Sequence, residues 1–119
     1  MPRLFAYATL QRSGPDHHCL YRQARLLGHH CTPGRYTLVD HPNMPIMVFH
    51  GSMSIEGEVF ALSDTGLAYL EHQLLNRMPA LERRCLPTPY GDAWVFGLAR
   101  MPAEATPFPC GNWLLARRL

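Results

Sequence analysis

Apolar residues crowd the start of the chain. Leu4-Phe5-Ala6-Tyr7-Ala8-Thr9-Leu10 runs almost without a polar break, and the polar run Gln11-Arg12-Ser13-Gly14-Pro15-Asp16 follows. The run predicts a mostly buried strand over 4–10, and Gly14-Pro15 predicts a turn. From His17 to Leu27 the apolar residues Leu20, Tyr21, Ala24 and Leu27 recur at helical spacing. That spacing predicts a short helix with Asp16 as its cap and Gly28 as its stop. Tyr36 to Val39 predicts a strand entered through Pro33-Gly34, and Asn43 to Ser54 a short strand and turn around Ile46-Met47-Val48-Phe49. Ile55 to Leu62 predicts another strand, in which Gly57 marks a bulge or a close backbone approach. Ser63-Asp64-Thr65 caps a helix with Leu67, Leu70, Leu74 and Leu75 along its inner face, ending near Arg77 before Pro79. Leu81–Leu86 and Ala93–Ala99 read as a hairpin across the turn Pro87 to Asp92, and a proline-rich tail follows Met101. The order β-α-β-β-β-α-β-β predicts an α+β domain with two main helices, whose curved sheet closes into a small barrel.

Composition narrows the class. A length of 119 residues favours one domain over 1–119, and 47% hydrophobic residues support a packed core. No segment reaches the length of an apolar membrane span. Met1-Pro2-Arg3 leads directly into the strand-like run, without the pattern of a secretion signal, so a cytoplasmic protein with no membrane partner is expected. The formal charge is +2, and all of the formal positive charge is arginine, with no lysine. Arg83-Arg84 and Arg117-Arg118 are pairs rather than runs, with no basic stripe between aromatics, so no nucleic-acid partner is expected. Arginine is still a planar fork suited to a small acid.

Cys19, Cys31, Cys85 and Cys110 form no CxxC and match no zinc spacing, so they read as reduced thiols. His17-His18 and His29-His30 are adjacent, and neighbours on a strand point to opposite faces; no metal is expected. There is no nucleophile elbow, Gly-rich phosphate loop or HExxH, and no cofactor is expected.

Tyr7 and Thr9 stand at the exit of the first strand. If that exit splays open, the amides of Ala8, Thr9 and Leu10 can form a nest for an anion. A core strand with an ordinary exit fits the same residues. The carboxylates are few. Glu56 and Glu58 share one strand face, Glu71 borders the leucine stripe of the second helix, and Glu82 precedes Arg83-Arg84. A general base needs partial burial. Glu56 and Glu82 read as solvated, whereas Glu58 and Glu71 can be partly buried. Arg83 reads as a ligand clamp or a solvated strand residue.

Several stretches occur together in one known order. LFAYATL resembles the LFVYGTL-type opening of the γ-glutamylcyclotransferase-like family. Leu27-Gly28 with Gly34-Arg35-Tyr36-Thr37-Leu38 resembles its "LG…GxLYDL" segment. Asp40-His41-Pro42 falls at its Tyr-Pro position. Ile55 to Phe60 resembles its "V.GEVY" strand, Leu67 to Glu71 its "LDxLE" helix and Ala93 to Phe96 its "AWVYVY" strand. TPYGDAWVFGLARMP and the late GNWL resemble a small bacterial branch, the YtfP-like proteins. The resemblance implies a mixed β-barrel with helices packed on it. It also implies a small γ-glutamyl or other acidic ligand, closed to 5-oxoproline with release of an amine.

Carried over, the resemblance places the substrate-holding amides on Tyr7, Ala8, Thr9 and Leu10, and the catalytic base on Glu71. Two positions depart from the family pattern. Ala8 replaces the glycine of YGTL, a substitution that costs energy if the position needs φ > 0. "LDxLEG" reads Leu67-Ala68-Tyr69-Leu70-Glu71-His72, so its aspartate and glycine are gone. Three readings follow: a γ-glutamylcyclotransferase-like enzyme, a catalytically inactive binding domain with the same cavity, and an interaction protein that uses the proline-rich tail.

Overall fold

The computed structural model describes residues 1–20 and 24–118. Among them the elements run β1 (Arg3–Tyr7), β2 (Arg25–Cys31), β3 (Tyr36–Asp40), β4 (Pro45–Met53), β5 (Glu56–Ala61), α1 (Asp64–Arg77), β6 (Glu82–Leu86), β7 (Ala93–Gly97), β8 (Thr106–Pro107) and α2 (Trp113–Ala116). The opening apolar run becomes the middle of the molecule. Leu4, Phe5 and Ala6 are at most 1% exposed, as expected of a strand covered on both faces. β1 lies between an antiparallel β5 and a parallel β7, in a five-stranded sheet of order β2-β5-β1-β7-β6.

β3 pairs with β4 and with β8 in a second, three-stranded sheet. The two sheets join where Phe49 N–H donates to Leu98 O (2.8 Å) and Leu98 N–H donates to Met47 O (2.9 Å). The strands therefore do not close into the expected barrel. β2 and β6 end the large sheet, and their exposed histidine, arginine and glutamate side chains suit an open edge.

The expected helix over 17–27 is not formed. His17–Leu20 is a single 3-10 turn, Arg25–Cys31 is an edge strand, and Tyr21 of the expected stripe lies outside the described residues. The difference centres on Gly28. The β2–β5 register shifts between Leu26 and Gly28, and a Cβ at Gly28 would collide with the Tyr90 hydroxyl. Gly28 is thus the glycine of a bulge, not a helix stop.

The second expected helix is α1, with the predicted bounds. Ser63 caps it by accepting from Gly66 N–H (2.9 Å), and Leu67, Leu70 and Leu74 face the core. Gly57 realises the close-approach alternative. Its β1 partner register is unbroken, and a Cβ there would meet the Phe5 ring at 2.9 Å. α2 is a single turn capped by Asn112. No described helix is long and apolar enough to cross a membrane.

Candidate functional site

β1 stops three residues before the sequence pattern suggests. Its ladder ends at Tyr7, opposite Gly57, and Ala8–Leu10 form a 3-10 turn. Ala8 makes the bend with φ +52°, the left-handed region that favours glycine. In such a turn the first N–H groups have no partner within it. The carbonyls, by contrast, are occupied. Gln11 N–H donates to Ala8 O (3.3 Å), Asp16 N–H donates to Thr9 O (2.9 Å), and His17 Nδ1 lies 3.0 Å from Leu10 O.

The loop after the turn is clamped to β5. Arg12 donates to Glu58 through its backbone N–H and through Nε, both at 2.8 Å. That bidentate contact uses the Glu58 carboxylate and explains its partial burial.

Tyr7 divides its roles between side chain and backbone. Its buried phenol donates to Phe96 O (2.6 Å) and accepts from Met47 N–H (2.9 Å). These bonds tie β1 to β4 and β7, across both sheets. Burial raises the phenol above its usual range, partly opposed by the Met47 amide. The hydroxyl is therefore structural, and the backbone after it is what the turn offers.

Beside the turn is a cavity with Tyr7, Thr9, Leu10, Met44, Leu74 and Phe96 in its walls. Its volume is about 10 Å³, room for about one water. Sequence reasoning missed Met44 and Phe96 as walls. Met44 is set in place by its neighbour: Asn43 Nδ2 donates to Arg77 O (2.9 Å), at the end of α1. A lone methionine between Asn43 and Pro45 gives no periodic signal.

Glu71 is not among the cavity walls. Its Oε1 pairs with Arg83 Nη1 at 3.2 Å, and each side chain is about one-third exposed (33% and 35%). The Arg83 guanidinium also stacks over Trp94, 4.4 Å from the ring centroid. Each partner of the pair adjoins one residue of the cavity wall, Leu74 or Phe96. Leu74 follows Glu71 by three residues, so their Cβ atoms are about 5–6 Å apart on one helix face. Arg83 is the cross-strand partner of Phe96. The structure thus brings Tyr7, Ala8, Thr9 and Leu10 together at the turn, while Glu71 lies outside the cavity wall, paired with Arg83. Among the described residues no group of three His, Cys, Asp or Glu side chains can hold a metal ion.

Residues 4–115 match the model of the family described as "Gamma-glutamyl cyclotransferase, AIG2-like". The chain belongs to that family. A relative from Vibrio cholerae is 35% identical over 94 residues, 78% of each chain. The γ-glutamylcyclotransferase family protein YtfP of Citrobacter rodentium is 31% identical over 112 residues, covering 94% of this chain and 95% of its own. The solution structure of Escherichia coli YtfP superposes with a TM-score of 0.73 at 29% identity, covering 94% of this chain and 96% of that one. For a γ-glutamylcyclotransferase-family chain, the matched span takes in the whole candidate site, from the β1 exit through α1 to β7.

Proposed function

We propose that the chain acts on a small γ-glutamyl compound and closes it to 5-oxoproline. The supporting observation is the bend at Ala8. A non-glycine residue at φ +52° costs about 1–2 kcal/mol, and such strain persists where the surroundings impose it, commonly at ligand sites. The bend turns the Ala8 and Thr9 amides out of the β1 ladder, where they can hold the carboxylate or the developing oxyanion of a glutamyl group.

The reaction asks little else of a protein. The α-amine of the substrate attacks its own γ-carbonyl carbon, so holding the chain curled supplies most of the advantage. The new bond joins the α-nitrogen to Cδ, the carbonyl carbon of the γ-glutamyl group, and the bond that breaks joins that carbon to the leaving amine. The α-ammonium gives up one proton to solvent before attack, and a second passes from the attacking to the leaving nitrogen. Glu71 takes and returns that proton in this reading. Its pair with Arg83 is about one-third open to solvent, and such pairs are worth about 0–1 kcal/mol. A substrate ammonium can therefore displace Arg83 from Glu71 at small cost, freeing the guanidinium for a ligand carboxylate. A glutamyl group needs more room than one water. The unbranched Met44 side chain is the wall suited to yield.

A second reading has its own observation. The α1 residue in the cavity wall is Leu74, not a carboxylate, which favours binding without turnover. Incubation with a panel of γ-glutamyl amines and amino acids decides between them. Release of 5-oxoproline, lowered about 100-fold or more in Glu71→Gln, supports the enzyme. Full turnover in that variant removes Glu71 as the base. No 5-oxoproline, with a melting temperature raised by glutamate-like acids, selects the binding domain.

A further inference from the structure

At the opposite end of β1 from the Ala8 turn, three residues form one cross-strand row: Arg3 on β1 and Arg25 on β2 both pair with Ala61 on β5. Residues paired across a sheet share a face, with Cβ atoms about 5 Å apart. The two arginines therefore rise about 10 Å apart, with only a methyl group between them. The result is a notch of about 440 Å³ walled by Leu27 and Tyr90.

Its upper wall is a built feature. The loop 88–91 closes on itself: Thr88 Oγ1 and Thr88 N–H donate to Gly91 O (2.6 and 3.2 Å), and Tyr90 N–H donates to Thr88 Oγ1 (3.1 Å). From this loop Tyr90 reaches across to β2, where its hydroxyl donates to His29 O (3.3 Å). Gly91 has φ +105°, and the Arg3 guanidinium occupies the space a Cβ would fill there. The loop thus aims the Arg3 fork and supplies an aromatic wall together.

Neither Arg3 nor Arg25 makes an ion pair with a described residue. Arg12, Arg77, Arg83 and Arg84 each hold a carboxylate. Two unneutralised guanidinium groups about a notch suit an anion with several acceptor oxygens and two charges. Arginine forks match a phosphate's oxygens in pairs. The wall of Tyr90 and Leu27 suits a flat or apolar group attached to it. We infer that the notch over Ala61 binds a small phosphate monoester, with Arg3 and Arg25 on the phosphate and its organic group against Tyr90. This site stands apart from the β1 exit, four residues and about 13 Å along the strand.

The test is calorimetric titration of the full chain with phenyl phosphate and with inorganic phosphate, at fixed ionic strength set by chloride. One phenyl phosphate is expected to bind per chain, more tightly than inorganic phosphate. Arg25→Gln, an exposed change that leaves the fold untouched, weakens binding about tenfold or more. Ala61→Leu, which fills the floor, abolishes it with melting still cooperative. Absence of saturable binding, equal affinity for the two probes, or unchanged affinity in Arg25→Gln overturns the assignment.

Discussion

Ala8 carries a buried methyl into a backbone region where glycine is at ease. Replacing it by glycine relieves the bend, but gives back unfolded-chain entropy of about 0.4–1 kcal/mol and some packing. Ala8→Gly is therefore expected to change unfolding free energy by less than about 1 kcal/mol. Ala8→Val places a β-branched side chain at φ > 0 and is expected to lose about 2 kcal/mol or more. Urea denaturation of the two variants checks the contrast; equal losses would mean that the bend is not where the backbone is constrained. His30 gives a second prediction at this scale. Its Nε2 is buried without a hydrogen-bond partner among the described residues, edge-on to the Phe5 ring. Burial, and next the neighbouring His29, lower its pKa below the ordinary 6.5. The unfolded chain then binds the proton more readily than the folded one. The contribution of His30 is whole above pH about 6.5 and declines as pH falls through the window beneath it. His30→Phe is expected to flatten that part of the stability–pH curve, and an unchanged curve would contradict the assignment.

Among the elements, β1 depends on how its end is tied. The Tyr7 hydroxyl joins β1 to β4 and β7 through two buried bonds. Tyr7→Phe strands the Met47 amide in the core, so a loss of about 1–3 kcal/mol is expected in thermal unfolding. A variant as stable as the parent would mean that water replaces the hydroxyl. Elements whose signals are local were legible in the sequence. Ser63 with the leucine stripe gave α1 its bounds, and the Pro87–Asp92 turn between two strand-like runs gave the β6–β7 hairpin. The segment 17–27 was not legible, because Leu20, Ala24 and Leu27 satisfy helical spacing while the deciding contact is distant: the Tyr90 hydroxyl against Gly28. The register bulge that results turns a helix signal into an edge strand. The early end of β1 was half legible. Ala8-Thr9-Leu10 raised the question of an open exit, but the bend depends on Asp16 folding back onto Thr9 and on Arg12 clamping the loop to Glu58 of β5.

At the scale of the whole molecule, two sheets joined along β4 and the segment after β7 replace the expected barrel, because that closure needs long-range pairings which no local pattern encodes. The arrangement still puts the strained Ala8 turn at the end of β1 beside a small cavity, with the Glu71–Arg83 ion pair one helix turn from its Leu74 wall. The family resemblance pointed to residues 7–10, which the structure forms into a turn beside a cavity. Met44, Leu74 and Phe96 as walls were not legible, since each is an ordinary apolar residue in its own element. The central claim is that main-chain N–H groups after β1 grip a small acid, and amide-resolved NMR reads those groups one by one. Titrating a γ-glutamyl amine into the isotopically labelled chain is predicted to move the Ala8 and Thr9 amide signals saturably, with Glu71 and Met44 following. Signals at Ala8 and Thr9 that stay fixed while the ligand binds elsewhere, or fails to bind at all, would contradict it.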